Sequence, residues 1–447
     1  MSGPHATNAN MKPLRKGWEW IPLGKYVENH DGRRIPISKK ERESRSGLFP
    51  YYGASGVIDT IDGFTHDGEF LLIGEDGANL LTRSKPLAFL TKGKVWVNNH
   101  AHVLRCRPGY SNAYLAYFIN SIDLSQYVTG TAQPKLSQSM MNKILIPVAP
   151  PEQQVEIVAE LEKQFSRLDE AVANLQRVKA NLKRYKASVL KDAVEGRLVP
   201  TEAELARRDG RSFETGEQLL QRILEMRRSQ WSGKGKYKEP TVPDLVDSDL
   251  PEGWIWATME QLGQVQLGKM LDKQKHLAGE PYLYLRNINV RWGAFDLSDL
   301  FEMNFESHQL ERFGVRDGDV LVCEGGEPAR AAVWRMGPTD IKYQKALHRV
   351  RFDGAFVPEL LMFALEHLAK SGALEEMYGG STIKHFTREV FVTLCVPVPP
   401  ISEQHRIVAE VERRLTLVQN GETEVDANLK RAQALRQSTL AKSFSHG

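Results

Sequence analysis

Two long stretches of the chain carry apolar residues at alternating three- and four-residue spacing. In the C-terminal stretch, Val408, Val411, Leu415, Val418, Val425, Leu429 and Ala432 keep this register, with polar Glu422 at the one interrupted position. In the earlier stretch, Val158, Leu161, Phe165, Leu168, Val172 and Leu175 are followed by Val178, Leu182, Tyr185 and Val189, with a one-residue break of phase after Leu175. The spacing is that of a helix with a narrow apolar seam, and the phase break reads as a local stammer. Two seams of similar length predict two long helices that pair as a coiled coil. Proline is tolerated in a first helical turn, so Pro150-Pro151 and Pro399-Pro400 mark where these helices start. Asn420-Gly421 is turn-like, which predicts a kink or break in the second helix. Ahead of each helix the pattern changes to short apolar runs bounded by Gly and Asp, such as Phe70–Gly74 and Asp319–Cys323. These predict strands in globules of mixed α and β structure.

The pattern occurs twice because the chain is a tandem repeat. Gly17-Trp18-Glu19-Trp20 returns as Gly253-Trp254-Ile255-Trp256, an offset of 236 residues. Pro150, Gln154 and Ile157-Val158-Ala159-Glu160 return as Pro400, Gln404 and Ile407-Val408-Ala409-Glu410, an offset of 250. Gly130 and Gly380, Pro147-Val148 and Pro397-Val398, and Ser188 and Ser438 share the second offset. The second copy is therefore about 14 residues longer between its markers. Between the copies, Val199 to Leu250 holds one further helical pattern, about Glu214 to Trp231, and a basic Gly- and Pro-containing tether.

Composition narrows the class. With 447 residues the chain is long for one domain, and 41% hydrophobic with 26% charged residues is ordinary globular usage. No run of eighteen apolar residues predicts a membrane span, and Met1–Asn10 is too polar for a secretory signal. Cys106, Cys323 and Cys395 are scattered, which argues against a disulfide framework or a structural zinc site and for a reducing cytoplasm. Net charge is only +3, although residues 1–150 carry 18 Lys/Arg against 12 Asp/Glu. Any DNA contact must then come from local patches rather than from bulk charge.

Catalytic signatures are missing. Gly263–Lys269 approaches a phosphate loop, but Met270 stands where Ser or Thr should reach magnesium. The proline pairs are not followed by an aromatic residue that could hold a flipped adenine. Gly74-Glu75-Asp76-Gly77 and Glu324-Gly325-Gly326-Glu327 are acidic but follow matching strands, so they read as turns. The expectation is a reader with no catalytic residues and no metal ligands.

Groups suited to base and phosphate contact fall at equivalent places in the copies. Asn98, Asn99 and His100 correspond to a stretch containing Gln344, Lys345, His348 and Arg349. A Gly- and hydroxyl-rich loop with Thr131, Gln133 and Lys135 corresponds to one with Ser381, Thr382, Lys384 and His385. The first copy adds Arg33, Arg34, Lys39 and Lys40, followed by the aromatic pair Tyr51 and Tyr52. The second offers Arg286, Asn287, Asn289 and Arg291, whose alternation predicts polar groups on one face of a strand. A shared scaffold with different chemistry is what two readers of two sequences require.

The Gly-Trp-x-Trp openings, Pro50–Ala54, Asn98–His100, Gly130–Leu136 and the Pro-Pro helix starts together resemble the specificity subunit of a type I restriction-modification enzyme. The resemblance runs over essentially the whole chain. It implies an α+β protein with two duplicated α/β target recognition domains and two long helices in an antiparallel, pseudo-twofold coiled coil. The expected order is recognition domain 1 at 14–149, conserved helix 1 at 150–198, a connector at 199–249, recognition domain 2 at 250–398 and conserved helix 2 at 399–447. It also implies double-stranded DNA as partner, one half of an asymmetric bipartite site per domain, with two modification subunits and the restriction subunits docking on the chain. S-adenosylmethionine, ATP and magnesium would be used by those subunits, and this chain would bind no cofactor. The alternatives are a scaffold of two ligand-binding globules without DNA, and a self-sufficient restriction-methylation fusion, which the missing methyltransferase motifs argue against.

Overall fold

The computed structural model describes residues 14–130, 132–233, 235–243, 249–270, 278–352, 354, 356–380 and 384–444. The chain divides into two compact units, Met1–Arg177 with Val425–Gly447, and Val178–Glu424.

In the first unit, β1 (Glu19–Pro22) pairs antiparallel with β10 (Leu145–Val148), so that Glu19 faces Val148 and Trp20 faces Pro147. One four-stranded sheet has the order β2 (Val27–Asn29), β9 (Ala101–Cys106), β6 (Phe70–Gly74), β7 (Ala88–Thr91). A second runs β4 (Gly56–Ile61), β3 (Phe49–Gly53), β8 (Lys94–Val97), β5 (His66–Asp67). All five residues of β6 are buried, as a central strand covered on both faces should be. Helix α1 (Asn112–Ser121) packs against this sheet, capped by the Ser111 hydroxyl, which accepts the Tyr114 N–H.

Helix α2 (Pro151–Val194) is one unbroken helix of 44 residues. Its first turns bury Leu161 and Phe165 in the first unit's core. The chain's C-terminal turns add Leu440 and Phe444 to that core, and the Phe444 ring meets Tyr114 edge-on at 5.1 Å between centroids. Arg436 lies over the Phe165 ring and pairs with Asp169.

The second unit repeats the plan. After α3 (Glu202–Asp209) and α4 (Gly216–Ser229), β11 (Ile255–Thr258) pairs with β21 (Cys395–Val398), placing Ile255 opposite Val398 and Trp256 opposite Pro397. Positions offset by 236 and 250 thus meet in the same register as in the first unit. The sheet β12 (Gly263–Leu267), β20 (Leu347–Phe352), β17 (Val320–Cys323), β18 (Ala331–Val333) matches β2-β9-β6-β7. The sheet β16 (Phe301–Phe305), β13 (Glu280–Leu285), β19 (Lys342–Tyr343) matches β4-β3-β8. Between β13 and β16 the chain makes an excursion, Arg286–Leu300, which includes the short ribbon β14 (Val290–Arg291) and β15 (Ala294–Phe295). The first unit has only Ala54-Ser55 at this place, so most of the extra length of the second copy lies here. Helix α5 (Pro358–Ser371) takes the position of α1.

Helix α6 (Ile401–Phe444) is also continuous over 44 residues, so Asn420-Gly421 does not break it. A Cβ at Gly421 would sit 3.3 Å from a Leu182 methyl; the glycine serves the close approach of α2 rather than a turn. The connector holds two helices instead of one. Each opens with a capping box, built on Thr201 with Glu204 and on Thr215 with Gln218.

The two helix starts are anchored by one repeated device. Gln154 is fully buried; its Nε2 donates to the Ala149 carbonyl at 2.7 Å, and its Oε1 accepts the Ser111 N–H at 3.1 Å. Gln404 does the same with the Pro399 carbonyl at 2.9 Å and the Val357 N–H at 2.9 Å. Each glutamine therefore ties its long helix to the first turn of the domain helix beside it. Trp18 donates to Gln153 at 2.9 Å, and Trp254 donates to Glu403 at 3.0 Å. Gln153 is exposed whereas Glu403 is buried; burial pushes the Glu403 carboxyl pKa up, while the Glu202 N–H and the Trp254 indole work against that rise.

Candidate nucleic-acid interface

In both units the rim of the domain is built around one buried histidine. His102 on β9 and His348 on β20 are 1% and 0% exposed. The Nε2 of His102 donates to the Leu136 carbonyl at 2.8 Å, and that of His348 to the Phe386 carbonyl at 2.7 Å. Each carbonyl ends a small loop closed by two-way backbone bonds, Thr129 with Lys135 and Gly379 with His385. The next residue of each loop returns a backbone N–H to the turn after the central strand, Leu136 to Glu75 and Phe386 to Glu324, both at 2.7 Å. A rigid interior therefore holds the Gly-rich loop, the acidic turn and the segment before β9 or β20 together at one edge.

The ring environments differ. In the first unit, Asp31 Oδ2 lies 2.6 Å from His102 Nδ1 and Asp31 Oδ1 accepts the Val103 N–H at 2.7 Å. Burial opposes a charge on His102, but the Asp31 carboxylate, the Leu136 carbonyl and Glu75 outweigh it and raise the pKa. In the second unit Leu267 stands directly opposite His348, and Nδ1 finds no hydrogen-bond partner among the described residues. Burial there lowers the His348 pKa to about 4, so the ring is neutral at physiological pH.

Asp31, Glu75 and His102 offer three ligand atoms within 4.8 Å of one another, the spacing of a metal site. Their charge is already balanced. Arg34 lies 2.6 Å from Glu75 and 3.4 Å from Asp31, Lys135 lies 3.2 Å from Glu75, and both nitrogens of His102 are engaged. The cluster is an ion-pair network that props the rim.

Residues expected to face DNA divide into three groups. At the first rim, Asn99, His100, Gln133 and Lys135 are exposed and adjacent, with His100 2.7 Å from Asp76. Arg33, Lys39 and Lys40 are exposed without an ion pair among the described residues, Lys39 and Lys40 on a one-turn helix capped by Ser38. At the second rim, Lys345, Lys384 and His385 are exposed, with Lys384 paired to Glu375. Gln344 and Tyr52 are half-buried, and the Tyr52 ring stacks on Phe89.

A second group is turned inward. Tyr51 is 1% exposed, with its hydroxyl against the Ile37 backbone. Arg349 is 4% exposed and donates to the Arg312 and Gly314 carbonyls. Asn98 is buried and accepts the His100 N–H, and His348 is the pin described above. Arg286, Asn287, Asn289 and Arg291 do not share one strand face, because the chain leaves β13 at Leu285 and turns. Asn289 is buried and fastens the excursion through the Asp296 and Asp299 carbonyls, while Asn287 donates to the Gly325 carbonyl. Arg286 pairs with Asp299 and lies 3.7 Å over the Phe301 ring; of the four, Arg291 alone is exposed, and it lies 3.6 Å from Asp296. The alternation that suggests a polar outer face equally sends polar residues inward, where each must find a partner. Thr131, Ser381 and Thr382, the third group, lie outside the described residues.

A repeated α+β domain, each copy followed by a long helix and each carrying a polar rim on a common frame, defines a two-site reader. Residues 15–183 match the family described as the type I restriction modification DNA specificity domain. A candidate type I restriction enzyme specificity subunit of Haemophilus influenzae is 27% identical over 402 residues, covering 89% of this chain and 88% of that one. The EcoBI specificity subunit of Escherichia coli is 24% identical over 423 residues, covering 92% and 79%. Among solved structures, a chain from a study of type I R-M complex assembly and conformational transition matches with a TM-score of 0.61 at 16% identity, covering 98% of this chain and 100% of that one. The HsdS subunit of Thermoanaerobacter tengcongensis matches with a TM-score of 0.50 at 17% identity, covering 98% and 99%. Over residues 15–183 the chain matches the type I specificity-domain family, and over most of its length it is similar to type I restriction enzyme specificity subunits. No helix among the described residues is long and apolar enough to cross a membrane.

Proposed function

We propose that this chain is the DNA-recognition subunit of a type I restriction-modification complex, and that each unit reads one half of an asymmetric, bipartite duplex site. The observation that carries the division of labour is the repeated rim. One frame, pinned by His102 or His348, presents Asn99, His100 and Lys135 in one unit and Lys345, Lys384 and His385 in the other. Exposed amides and cations on a rigid edge suit base edges and phosphates, and different residues on equal frames suit different sequences. The chain itself is not catalytic. Two modification subunits would supply methyl transfer from S-adenosylmethionine, and restriction subunits would supply ATP- and magnesium-dependent translocation and cleavage, all in the cytoplasm. The similarity to specificity subunits argues against the reading as a scaffold without DNA.

The test exchanges residues 14–149 for the corresponding segment of a homologue with another specificity. The chimaera is then expressed with its modification subunit and the host methylome sequenced. One half-site should change and the other should stay. A change in both halves, or in neither, would refute one-half-per-unit reading.

A further inference from the structure

The hairpin β3–β4 brings an apolar tip to the polar rim of the first unit. Val57 and Ile58 are 54% and 55% exposed, large apolar side chains held next to each other in water. Single exposed apolar residues are common, but this pair sits at a built position. The register shifts between Tyr51 and Tyr52: Tyr51 faces Asp59 and Tyr52 faces Val57, so Ile58 is the extra residue of a β-bulge. A bulge re-aims the side chain it carries and frees it from the ladder. Beneath Ile58 lies Gly53, where an added Cβ would stand 3.2 Å from Ile58 Cδ1 and 3.6 Å from Asn98 Nδ2. The absence of a side chain at Gly53 thus leaves a space bordered by both Ile58 and the Asn98 amide.

The tip is also fixed in place. An added Cβ at Gly74 would come within 2.5 Å of the Ala54 carbonyl oxygen, so the hairpin turn rests directly on the end of β6. Next in the chain are Glu75, which holds Lys135, and Asp76, which holds His100. Ile58 therefore borders the same rim as the exposed amide, imidazole and ammonium groups. The second unit replaces this turn with the excursion Arg286–Leu300, making it a place where the copies differ most.

We propose that Ile58 is a specificity-determining residue that reads the 5-methyl group of a thymine in the half-site taken by the first unit. Polar rim groups distinguish bases by their donors and acceptors. The thymine methyl is the one apolar mark on a base-pair edge, it lies in the major groove, and an aliphatic side chain is its chemical complement. Docking the two removes apolar surface on both sides from water. A contact worth about one buried methyl group corresponds to about a fourfold preference for thymine over uracil, which keeps the same pairing edge without the methyl.

This inference rests on the DNA-reading function, and the experiment separates the two. The complete modification assembly is measured in competition binding against its own methylated site, with each thymine of the first unit's half-site replaced in turn by deoxyuridine. Expected for the native chain is about a fourfold loss at one thymine and none from uracil in the other half-site. Ile58→Ala should bind the thymine duplex about fourfold more weakly and no longer distinguish thymine from uracil at that position. Gly53→Ala, which displaces Ile58 without removing it, should also blunt the discrimination. Indifference of the native assembly to uracil at every thymine, or an undiminished preference in Ile58→Ala, overturns the proposal and leaves DNA reading standing. Failure of Ile58→Ala to assemble with the modification subunit also overturns it, because the tip would then be a protein-docking surface. Absence of any sequence preference in the native assembly refutes the DNA-reading function itself.

Discussion

Replacing Asp31 with leucine gives the first unit the residue that the second already has opposite its histidine. In the native chain the Asp31 carboxylate meets His102 Nδ1 at 2.6 Å and the Val103 N–H at 2.7 Å, both inside the rim. Asp31→Leu leaves two buried donors without acceptors. Each such group costs about 1–3 kcal/mol, so unit 1 should lose about 2–6 kcal/mol. The lower end is favoured because the imidazole can release its proton, the state that burial imposes on His348. The pH dependence has a definite sign. The His102 pKa is raised from 6.5, so its contribution is complete below pH 6.5 and fades as pH rises through the folded value. The Asp31 pKa is lowered from 3.8 even though burial opposes this, because His102 and the Val103 N–H hold the carboxylate charged. Its contribution is complete above pH 3.8 and fades as pH falls through the folded value. The stability gap between native chain and variant should therefore be widest between pH 3.8 and 6.5 and narrow on either side. Urea unfolding across pH measures the gap, and ring-proton NMR follows His102, which should titrate below 6.5 in the variant. An unaltered His102 titration, or a gap that ignores pH, would refute the argument.

Gln404→Leu should destabilise the second unit by about 2–4 kcal/mol, since it orphans the buried Pro399 carbonyl and Val357 N–H; Gln154→Leu should act likewise on the first, both read by urea unfolding. Lys135→Ala should weaken binding to all duplex sequences alike and lower the slope of log affinity against log salt by about one, as loss of a phosphate contact does. Relaxed preference at a single base position would show instead that Lys135 reads a base.

The sequence alone determined the repeat, the two long helices and the order of the parts. These follow from local regularities: a seam at 3,4 spacing, strands bounded by Gly and Asp, and markers returning at offsets of 236 and 250. The equal registers of Trp20 with Pro147 and Trp256 with Pro397 show how faithfully the duplication passed into structure. Local pattern could not decide which polar residues face outward. Tyr51, Asn98, Asn289, His348 and Arg349 carry groups fit for DNA, yet the folded chain uses them inside, where backbone groups of the surrounding loops and turns engage them. Nor could it decide that Gly421 makes room for Leu182 within an unbroken helix. The contrast between the two histidines is likewise tertiary. The two rings are pinned to equivalent carbonyls, but Asp31 and Glu75 draw His102 toward its charged form, whereas His348 faces Leu267 and burial keeps it neutral. Charge, exposure and hydrogen bonding depend on residues far apart in the chain, and the fold alone brings those residues together.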